Sequence, residues 1–363
     1  MSKSRKKICY ILPEFREGTD THFAYVYDFI NALSKESEVF LVVEKGNPSR
    51  SRFPGVAYIK RLRVRFLPLR ILRELMVLVE ARRRGYRIFY THYSYTGALT
   101  SSLVARLTKG RAYYWNCGMP WLYGKQISLR FVLHMVNTLV TGTETMRQLY
   151  AEEYSISPMK ITVVPNWIDI SAWKNDGTKR EVRKNLNLPY EKKIVLFVHH
   201  LSERKGADKI VEIAETVSDP TALFVIIGDG PLSQNIRNDI EKHGLTERIL
   251  MLGGISHRDI ASYFFAADVF IMPSEEEGFP HVLLEAMAAG VPFVAFSVGG
   301  VRDIVPFVLQ QYCVTSADIA GFSERVRELL DRDEKRREVS EIVRTHVRKY
   351  DQTLILEEFM GLF

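Results

Sequence analysis

The chain has 363 residues, more than a single hydrophobic core usually supports, so two domains are expected. Hydrophobic residues make up 46% and charged residues 26%, which argues against a fibrous or wholly disordered protein. A net charge of +7 favours an acidic partner, and since no RNA- or DNA-binding motif accompanies that charge, a nucleic-acid partner is not expected.

The N-terminus is basic and leads into a short apolar segment without a cleavage-site pattern. No run of about 18 apolar residues follows, so we expect neither a signal peptide nor a membrane span. The three cysteines are scattered and show no C-x-x-C spacing, which argues against a disulfide framework. The expected location is the cytoplasm.

In the first half, short apolar runs rich in β-formers alternate with helical patterns, the rhythm typical of βαβ units and parallel sheets. This rhythm predicts strands at residues 8–12, 39–43, 56–59, 88–91, 112–115, 139–141 and 161–164.

Segment 60–87 is the most basic part of the chain and interleaves arginine with apolar residues. Leu69, Leu72, Met76 and Val79 follow helical spacing, which predicts a basic amphipathic helix. Such a helix can lie on an anionic membrane at its inner face, so peripheral membrane contact is one interpretation. The other is a helix packed on its own domain with a solvated basic face.

The second half repeats the βα rhythm, with strands predicted at residues 194–198, 223–227, 249–252, 269–272, 293–296 and 312–315. A polar, turn-rich stretch separates the halves, which places a domain boundary near residues 169–189. Open parallel sheets bind ligands at the carboxyl ends of their strands. The residues that follow each strand are therefore the candidates for a site.

Two of these post-strand segments carry basic residues or paired glycines. The strand at 194–198 leads into HHLSERKG, which predicts an anion site from His199, His200, Arg204 and Lys205. The strand at 223–227 leads into Gly228 and Gly230, where the backbone of a ligand or of the protein can approach closely. Glycine pairs also occur in such turns for geometry alone.

A third segment, EEEGFPHVLLEAMAAGVP, contains two glutamates eight positions apart, Glu277 and Glu285. Glu277 precedes a predicted helix, where a carboxylate is also favoured by the helix dipole alone. Glu285 lies within an apolar helix, and a charged residue there needs a partner. Sugar hydroxyls are suitable partners for both carboxylates.

These segments, in this order and spacing, resemble the retaining glycosyltransferase family 4 of the GT-B fold. The resemblance covers essentially the whole chain and rests on FVHHLSERKG, IIGDGP, ADVFIMPS, EGFPHVLLEAMAAGVP and SVGGVRDIV, with VVPNWID at the domain junction. It implies an α/β protein with two Rossmann-like, doubly wound parallel-sheet domains that face a central cleft. Residues 1–170 form the acceptor-side domain, and residues 171–345 bind the nucleotide-sugar. A helix at about 346–363 packs back on the first domain.

The resemblance also implies roles for single residues. Lys205 pairs with the donor diphosphate, Glu277 contacts hydroxyls of the transferred sugar, and Glu285 accepts from the ribose hydroxyls. The backbone N–H groups of Gly278 and Phe279 assist Glu277, and the GTDTH loop with Gly18 approaches the diphosphate. The implied activity is metal-independent, retaining transfer from a nucleotide-sugar, with UDP as the expected nucleotide, to a glycan, lipid-linked or other hydroxyl acceptor. No cofactor is expected.

The chain departs from the family pattern at two positions. His200 stands where the family usually has an arginine, and Cys117 stands where many relatives have a histidine before a glycine. His22, His92 and Cys117 are therefore the acceptor-side candidates, each with a structural role as the alternative. These departures keep a second hypothesis open, a catalytically silent nucleotide-sugar-binding sensor or assembly protein.

Other functions are less well supported. A nicotinamide-dependent oxidoreductase would need a G-x-G-x-x-G motif after the first strand, which is absent. Sugar-nucleotide epimerases and phosphorylases share the GT-B architecture, so the architecture does not itself dictate the activity. The D-x-D sequence at Asp331 and Asp333 lies in a run typical of a solvated helix, so we expect no metal site there. A second carboxylate pair suited to a glycosyl-enzyme intermediate is missing, which favours front-face transfer.

Overall fold

The computed structural model describes residues 5–16, 24–64, 66–123 and 127–363. It divides into two compact units, Met1–Pro165 with Leu356–Phe363, and Asn166–Ile355. The second unit begins earlier than the boundary expected from sequence, because Ile168 is already hydrogen-bonded within it. The N–H of Ile168 donates to the Tyr350 carbonyl, and its own carbonyl accepts from Gln352.

The first unit contains a seven-stranded parallel sheet in the order β3-β2-β1-β4-β5-β6-β7. Its elements are, in chain order, β1 Lys7–Glu14, α1 Ala24–Glu36, β2 Glu38–Lys45, β3 Tyr58–Arg61, α2 Leu67–Arg83, β4 Ile88–His92, α3 Tyr95–Thr108, β5 Arg111–Trp115, α4 Ile127–Met135, β6 Thr138–Thr141, α5 Glu144–Tyr154 and β7 Ile161–Val163.

The second unit contains a six-stranded parallel sheet in the order β10-β9-β8-β11-β12-β13. Its elements are α6 Lys179–Asn185, β8 Lys193–Val198, α7 Ile210–Val217, β9 Ala222–Ile227, α8 Ser233–Lys242, β10 Ile249–Gly253, α9 His257–Ala266, β11 Val269–Met272, α10 His281–Ala289, β12 Phe293–Phe296, α11 Val301–Ile304, β13 Cys313–Val314, α12 Ile319–Asp331 and α13 Asp333–His346. The last helix, α14 Gln352–Gly361, starts in the second unit and ends in the first.

Both sheets are doubly wound, and each has one topological switch point. The strand order reverses between β1 and β4 in the first unit and between β8 and β11 in the second. Ligands of open α/β sheets bind beyond the carboxyl ends of the strands at such points. The segments after β8 and β11 are therefore neighbours at the position in the second sheet where a ligand is expected.

The central strands are apolar on both faces, as strands of a parallel sheet covered by helices must be. In β1 the continuous run from Ile8 to Leu12 is fully buried. Phe359 of α14 completes the core of the first unit, with its ring 5.2 Å from that of Phe29 and 4.7 Å from that of Tyr90. Residues 356–363, a shorter segment than the 346–363 expected, therefore belong to the first unit.

The expected α/β class with two Rossmann-like parallel-sheet domains is confirmed. Each strand expected from the sequence is present, although β3 begins two residues later than expected. The hydrogen bonds between β2 and β3 start where the N–H of Ala57 donates to the Val39 carbonyl. Among the described residues, no helix has the length and apolarity needed to cross a bilayer.

Candidate functional site

The segments that follow β8 and β11 meet through one buried ion pair. Lys205 Nζ lies 2.6 Å from Glu277 Oε1, and 9% and 6% of the two side chains are exposed. The two residues are 72 positions apart in sequence, but their strands are adjacent at the switch point. The structure therefore brings together two side chains that the sequence assigned to one site.

Gly206 makes this contact possible. Its φ is +68°, and a Cβ built there would lie 1.8 Å from the Pro273 carbonyl oxygen. Only glycine fits this close approach of two backbones. The turn that carries Lys205 is thereby packed directly against the segment that carries Glu277, and the N–H of Glu275 donates to the Arg204 carbonyl at 3.0 Å.

Glu277 is ionised and is contacted by one cation and one neutral imidazole. Burial raises its pKa, but the charge of Lys205 and the hydrogen bond from His199 outweigh burial and hold the pKa at about 2. Burial lowers the pKa of His199. His199 Nδ1 accepts from the N–H of His200 at 2.9 Å, so the neutral ring carries its proton on Nε2 and donates to Glu277 at 3.2 Å.

The other basic candidates near this pair are more exposed. Arg204 is half-exposed and lies 3.7 Å from Glu276, and His200 is exposed at the surface. Glu275 pairs with Lys209 at 3.0 Å. Of the three consecutive glutamates, it is Glu277 that contacts Lys205 with its carboxylate.

The paired glycines after β9 allow this turn to approach the backbone of the segment after β8 closely. Gly228 has a φ of +143°, and a Cβ there would lie 1.8 Å from the His199 carbonyl oxygen. A Cβ on Gly230 would lie 2.4 Å from the Leu201 carbonyl oxygen. These glycines pack the turn after β9 under the segment that carries His199.

Glu285 lies on α10 in a second cluster that contains two histidines. Its Oε1 is 2.9 Å from His257 Nε2 and 3.2 Å from His281 Nδ1. Burial raises the pKa of Glu285, but hydrogen bonds from these histidines outweigh burial and hold it at about 2. Neither histidine was among the candidates predicted from the sequence. The spacing of His281 four residues before Glu285 was the one available signal, because such pairs share a helix face.

The segment between the two glutamates is fixed from one side. Phe279 is buried against the Tyr350 ring at 5.7 Å, and its carbonyl accepts from Asn166 Nδ2 at 3.2 Å. Gly278 is partly exposed. Because α10 begins at His281, Glu277 precedes the helix by four residues and points to Lys205, so capping does not account for it.

In the first unit, His92 has the surroundings of a structural imidazole. It is fully buried, its ring stacks on Trp115 at 4.3 Å, and its Nδ1 is 3.0 Å from the Tyr10 hydroxyl. Burial lowers its pKa to about 3, so the ring is neutral. This geometry favours the structural alternative for His92. Gly18 and His22 lie outside the described residues.

Cys117 follows β5 and contacts a residue in an unusual backbone conformation. Its Sγ is 3.2 Å from the Tyr93 hydroxyl. Tyr93 has a φ of +58°, and the N–H of Ser94 donates across it to the His92 carbonyl at 2.8 Å, which closes a γ-turn. A γ-turn whose central residue has a positive φ is rare and strained. This turn lies after β4, beside the carboxyl end of β5.

Helix α2 within segment 60–87 exposes a row of apolar side chains to solvent. We call this row the apolar stripe; its exposed fractions are 55% for Leu69, 54% for Leu72, 51% for Met76 and 37% for Val79. The buried face of α2 consists of Glu74, Val77, Leu78 and Ala81. The helical spacing identified in the sequence thus marks the exposed face of α2.

The arginines of α2 differ in their contacts. Arg82 donates to the Thr108 carbonyl at 3.1 and 3.0 Å. Arg84, just after the helix, pairs with Glu80 and stacks over the Tyr58 ring. Arg73 and Arg83 are exposed.

The two clusters of the second unit can bind an anion and several hydroxyl groups. Lys205 is a cation suited to phosphate, and two ionised carboxylates are acceptors suited to hydroxyl donors. Among the described residues, no group of three or more His, Cys, Asp or Glu side chains has the arrangement of a metal site. Asp331 pairs with Lys193, and Asp333 pairs with Arg336.

Two family profiles match the chain. Residues 23–172 match the profile described as glycosyltransferase family 4, and residues 178–346 match the one described as glycosyl transferases group 1. The first match falls in the first unit except for its last residues, and the second lies within the second unit.

Several curated proteins are similar in sequence. The chain is 27% identical, over 66% of its length and 65% of the relative, to UDP-Gal:alpha-D-GlcNAc-diphosphoundecaprenol alpha-1,3-galactosyltransferase of Escherichia coli. It is 26% identical, over 75% and 72%, to N-acetyl-alpha-D-glucosaminyl L-malate synthase of Bacillus anthracis. A 28% identical match covers 57% of the chain and 50% of 2-deoxystreptamine N-acetyl-D-glucosaminyltransferase of Streptomyces fradiae. The chain spans about half the length of several curated relatives that it matches.

Solved structures share the fold. The Anabaena protein Alr3699/HepE in complex with UDP superposes with a TM-score of 0.82 at 15% identity, covering 98% of this chain and 99% of that one. Sucrose-phosphate synthase from Thermosynechococcus elongatus gives a TM-score of 0.78 at 18% identity, covering 99% and 98%.

Proposed function

Because the chain belongs to the glycosyl transferases group 1 family, with the GT-B fold, we propose that it transfers a sugar from a nucleotide-sugar to a hydroxyl acceptor. The observation that carries this proposal is the buried Lys205–Glu277 pair at the switch point of the second unit. A UDP-sugar is the proposed donor. In support, one relative's name specifies UDP-Gal, and structures of similar fold contain UDP or UDP-glucose.

In this proposal Lys205 binds the donor diphosphate. As the bond between sugar and phosphate breaks, negative charge grows on the leaving phosphate, and a fixed cation in a buried site stabilises that charge. Arg204 and His200 are the proposed outer contacts, since both are exposed on the segment after β8 that carries Lys205. Their exposure predicts a weaker, salt-sensitive contribution.

Glu277 is the proposed contact for hydroxyls of the transferred sugar, and Glu285 for those of the ribose. Both are ionised, because their pKa values lie near 2, and each can accept hydrogen bonds from two hydroxyls. His199 orients the Glu277 carboxylate by donating from Nε2. Gly278 and Phe279 are proposed to donate backbone N–H groups to the same sugar.

The proposed stereochemistry is retention by front-face attack. A double-displacement mechanism needs a carboxylate nucleophile and a second carboxyl group about 5 Å away. Glu277 is held by Lys205, while its neighbours Glu275 and Glu276 pair with Lys209 and Arg204. In front-face attack, the acceptor oxygen bonds to the anomeric carbon as the bond from that carbon to the phosphate oxygen breaks. The hydroxyl proton passes to the leaving phosphate oxygen. Retention is checked by the anomeric coupling constant in the proton NMR spectrum of the product.

The proposed reaction needs no metal, because Lys205 supplies the cation at the diphosphate. Both aspartates of the D-x-D sequence already have basic partners. Turnover should therefore be the same in EDTA as in magnesium. A loss of activity in EDTA that magnesium restores would contradict this part of the proposal.

The proposed acceptor is a glycan or lipid-linked hydroxyl presented at an anionic membrane surface, which α2 contacts. The apolar stripe supports this proposal, since large apolar patches rarely face water without a partner. Charge supports it as well. Residues 60–143 include fifteen lysines and arginines but only two acidic residues, Glu74 and Glu80.

Neither of these two glutamates presents an unpaired negative charge that would repel an anionic surface. Burial and the nearby Glu44 raise the pKa of Glu74 to about 8, so this carboxyl is largely uncharged at neutral pH. Glu80 pairs with Lys60 at 2.9 Å and with Arg84 at 3.1 Å. The exposed surface of α2 therefore combines the apolar stripe with the exposed arginines Arg73 and Arg83, the combination typical of interfacial helices.

A thermal-shift screen against UDP, GDP, ADP and their sugars tests the proposed donor, because a ligand that binds the folded state raises its melting temperature. Donors that bind are then assayed for release of nucleoside diphosphate with membrane or glycan extract. Donor-dependent release supports a glycosyltransferase. A donor that binds and is never consumed would indicate a silent nucleotide-sugar-binding protein instead.

A further inference from the structure

His281 occupies a position between Glu285 and the segment where the chain enters the second unit. Its Nδ1 lies 3.2 Å from Glu285 Oε1, and its Nε2 lies 2.8 Å from the carbonyl oxygen of Trp167. The side chain is 16% exposed, and that of Glu285 is 7% exposed. Both contacts lie within the second unit.

Each of these two contacts places an acceptor against a ring nitrogen of His281. A backbone carbonyl oxygen can only accept a hydrogen bond, and an ionised carboxylate likewise has no proton to donate. A neutral imidazole has one N–H group, so it can satisfy one of these partners but not both. The ring makes both contacts as donor when it is an imidazolium with protons on Nδ1 and Nε2.

The residues before and after Trp167 are both held by hydrogen bonds. Asn166 donates to the Phe279 carbonyl at 3.2 Å, and Ile168 exchanges backbone hydrogen bonds with Tyr350 and Gln352 at 2.9 and 3.0 Å. The Trp167 carbonyl is therefore a fixed acceptor. A His281 ring that donates to this carbonyl is held in place, and it holds the Glu285 carboxylate at its other nitrogen.

We propose that His281 is a positioning residue of the nucleotide site, an imidazolium clamp that holds the Glu285 carboxylate in the orientation that accepts the ribose hydroxyls. The inference rests on the proposed ribose contact of Glu285. The clamp also offsets the negative charge of the buried Glu285 carboxylate. His257, 35% exposed, contacts the same oxygen at 2.9 Å and adds a second donor.

Nitrogen-15 NMR of histidine-labelled protein near pH 7 tests the clamp directly. The proposal predicts that both ring nitrogens of His281 have the chemical shifts of protonated nitrogen, assigned by comparison with His281→Gln. By contrast, His199 should show the pattern of a neutral ring protonated on Nε2. A neutral tautomer at His281 would overturn the proposed clamp.

Binding measurements test the consequence for the nucleotide. His281→Ala should raise the Kd for UDP about tenfold while kcat at saturating donor stays within about threefold, since a positioning loss acts on binding. His281→Gln, which donates without a charge, should give an intermediate Kd. His243→Ala is the matched control, because it removes a surface histidine–glutamate pair, with Glu215 at 2.7 Å, and should leave the Kd unchanged.

A double-mutant cycle separates the clamp from the proposed function. In a Glu285→Gln background, His281→Ala should have no further effect on the Kd, because the histidine acts through the carboxylate. An equal effect in both backgrounds, or a wild-type Kd for His281→Ala, would overturn the clamp alone. A wild-type Kd for Glu285→Gln would remove the proposed ribose contact and the role of the clamp with it.

Discussion

Lys205 and Glu277 form a buried ion pair 2.6 Å long, although they follow different strands and are 72 residues apart. The pair forms because β8 and β11 are adjacent at the switch point and because Gly206 lets the two segments touch. Removing one partner from a buried pair leaves an uncompensated charge. Effects on catalysis and on stability must therefore be measured separately for these residues.

Glu277→Gln should lower kcat by on the order of 10² or more and change the donor KM much less, because Glu277 is proposed to act mainly in the transition state. Steady-state kinetics with a saturating acceptor check this. Glu275→Gln is the matched control, since Glu275 pairs with Lys209 and should leave kcat unchanged. A kcat near wild type with only KM altered would reassign Glu277 to binding.

Lys205→Met should destabilise the folded protein by about 3 kcal/mol or more, because it leaves ionised Glu277 buried without its cation. Urea denaturation at neutral pH measures the free energy of unfolding. Adding Glu277→Gln to this variant should recover part of the loss, since the double variant buries neither charge. If the two single losses simply add, the pair contributes no coupling energy.

Glu74→Gln should stabilise the protein at alkaline pH. The folded-state pKa of Glu74 is raised to about 8, above the unfolded value of 4.5, so the wild-type chain loses stability as the pH rises through this window. Glutamine has no proton to lose. The gain in unfolding free energy should be on the order of 3 kcal/mol larger at pH 8.5 than at pH 5.

Glu80→Gln is the matched control on the same helix. The hydrogen bond from Lys60 lowers the pKa of Glu80, so its contribution to stability is lost as the pH falls and not as it rises. Thermal unfolding of both variants across pH separates the two cases. Identical pH profiles for Glu74→Gln and wild type would contradict a raised pKa at Glu74.

Leu72→Ser combined with Met76→Ser should weaken binding to anionic lipid vesicles by at least about tenfold, because each side chain loses over 1 kcal/mol of apolar burial. Co-sedimentation at low salt measures this. Phe307→Ser is the control, since Phe307 is 91% exposed in the other unit and should not affect binding.

Charge and salt give a second test of the same surface. Arg73→Gln with Arg83→Gln should weaken vesicle binding by about 1 kcal/mol per charge and reduce its salt dependence. Arg82 and Arg84 are poorer choices, because both hold structural contacts. Failure of the wild-type protein to bind anionic vesicles at low salt would contradict the proposed membrane contact.

The sequence predicted the strands well, because a parallel sheet covered on both faces needs continuous apolar runs such as that of β1. It also predicted the spacing of the apolar stripe. Whether Leu72 and Met76 faced the core or solvent depended on how α2 packs, which helical periodicity alone does not determine. The structure shows these side chains exposed, and contact with a membrane stays a proposal.

The site was only partly predictable. Lys205 and Glu277 could be named one by one, but their contact depends on strand order, which no local pattern encodes. His257 approaches Glu285 from another helix, 28 residues away, and was missed for the same reason. His92 remained a candidate because its complete burial against Trp115 arises from the pairing of β4 with β5.

Lys205 is proposed to bind the diphosphate of a nucleotide donor. The most direct test measures the Kd of the nucleoside diphosphate identified by the thermal-shift screen, and that of its parent nucleoside, for wild type and folded Lys205→Met. The substitution should raise the Kd of the diphosphate about 100-fold and that of the nucleoside less than about threefold. An equal loss of affinity for both ligands, or an unchanged Kd for the diphosphate, would contradict this role of Lys205.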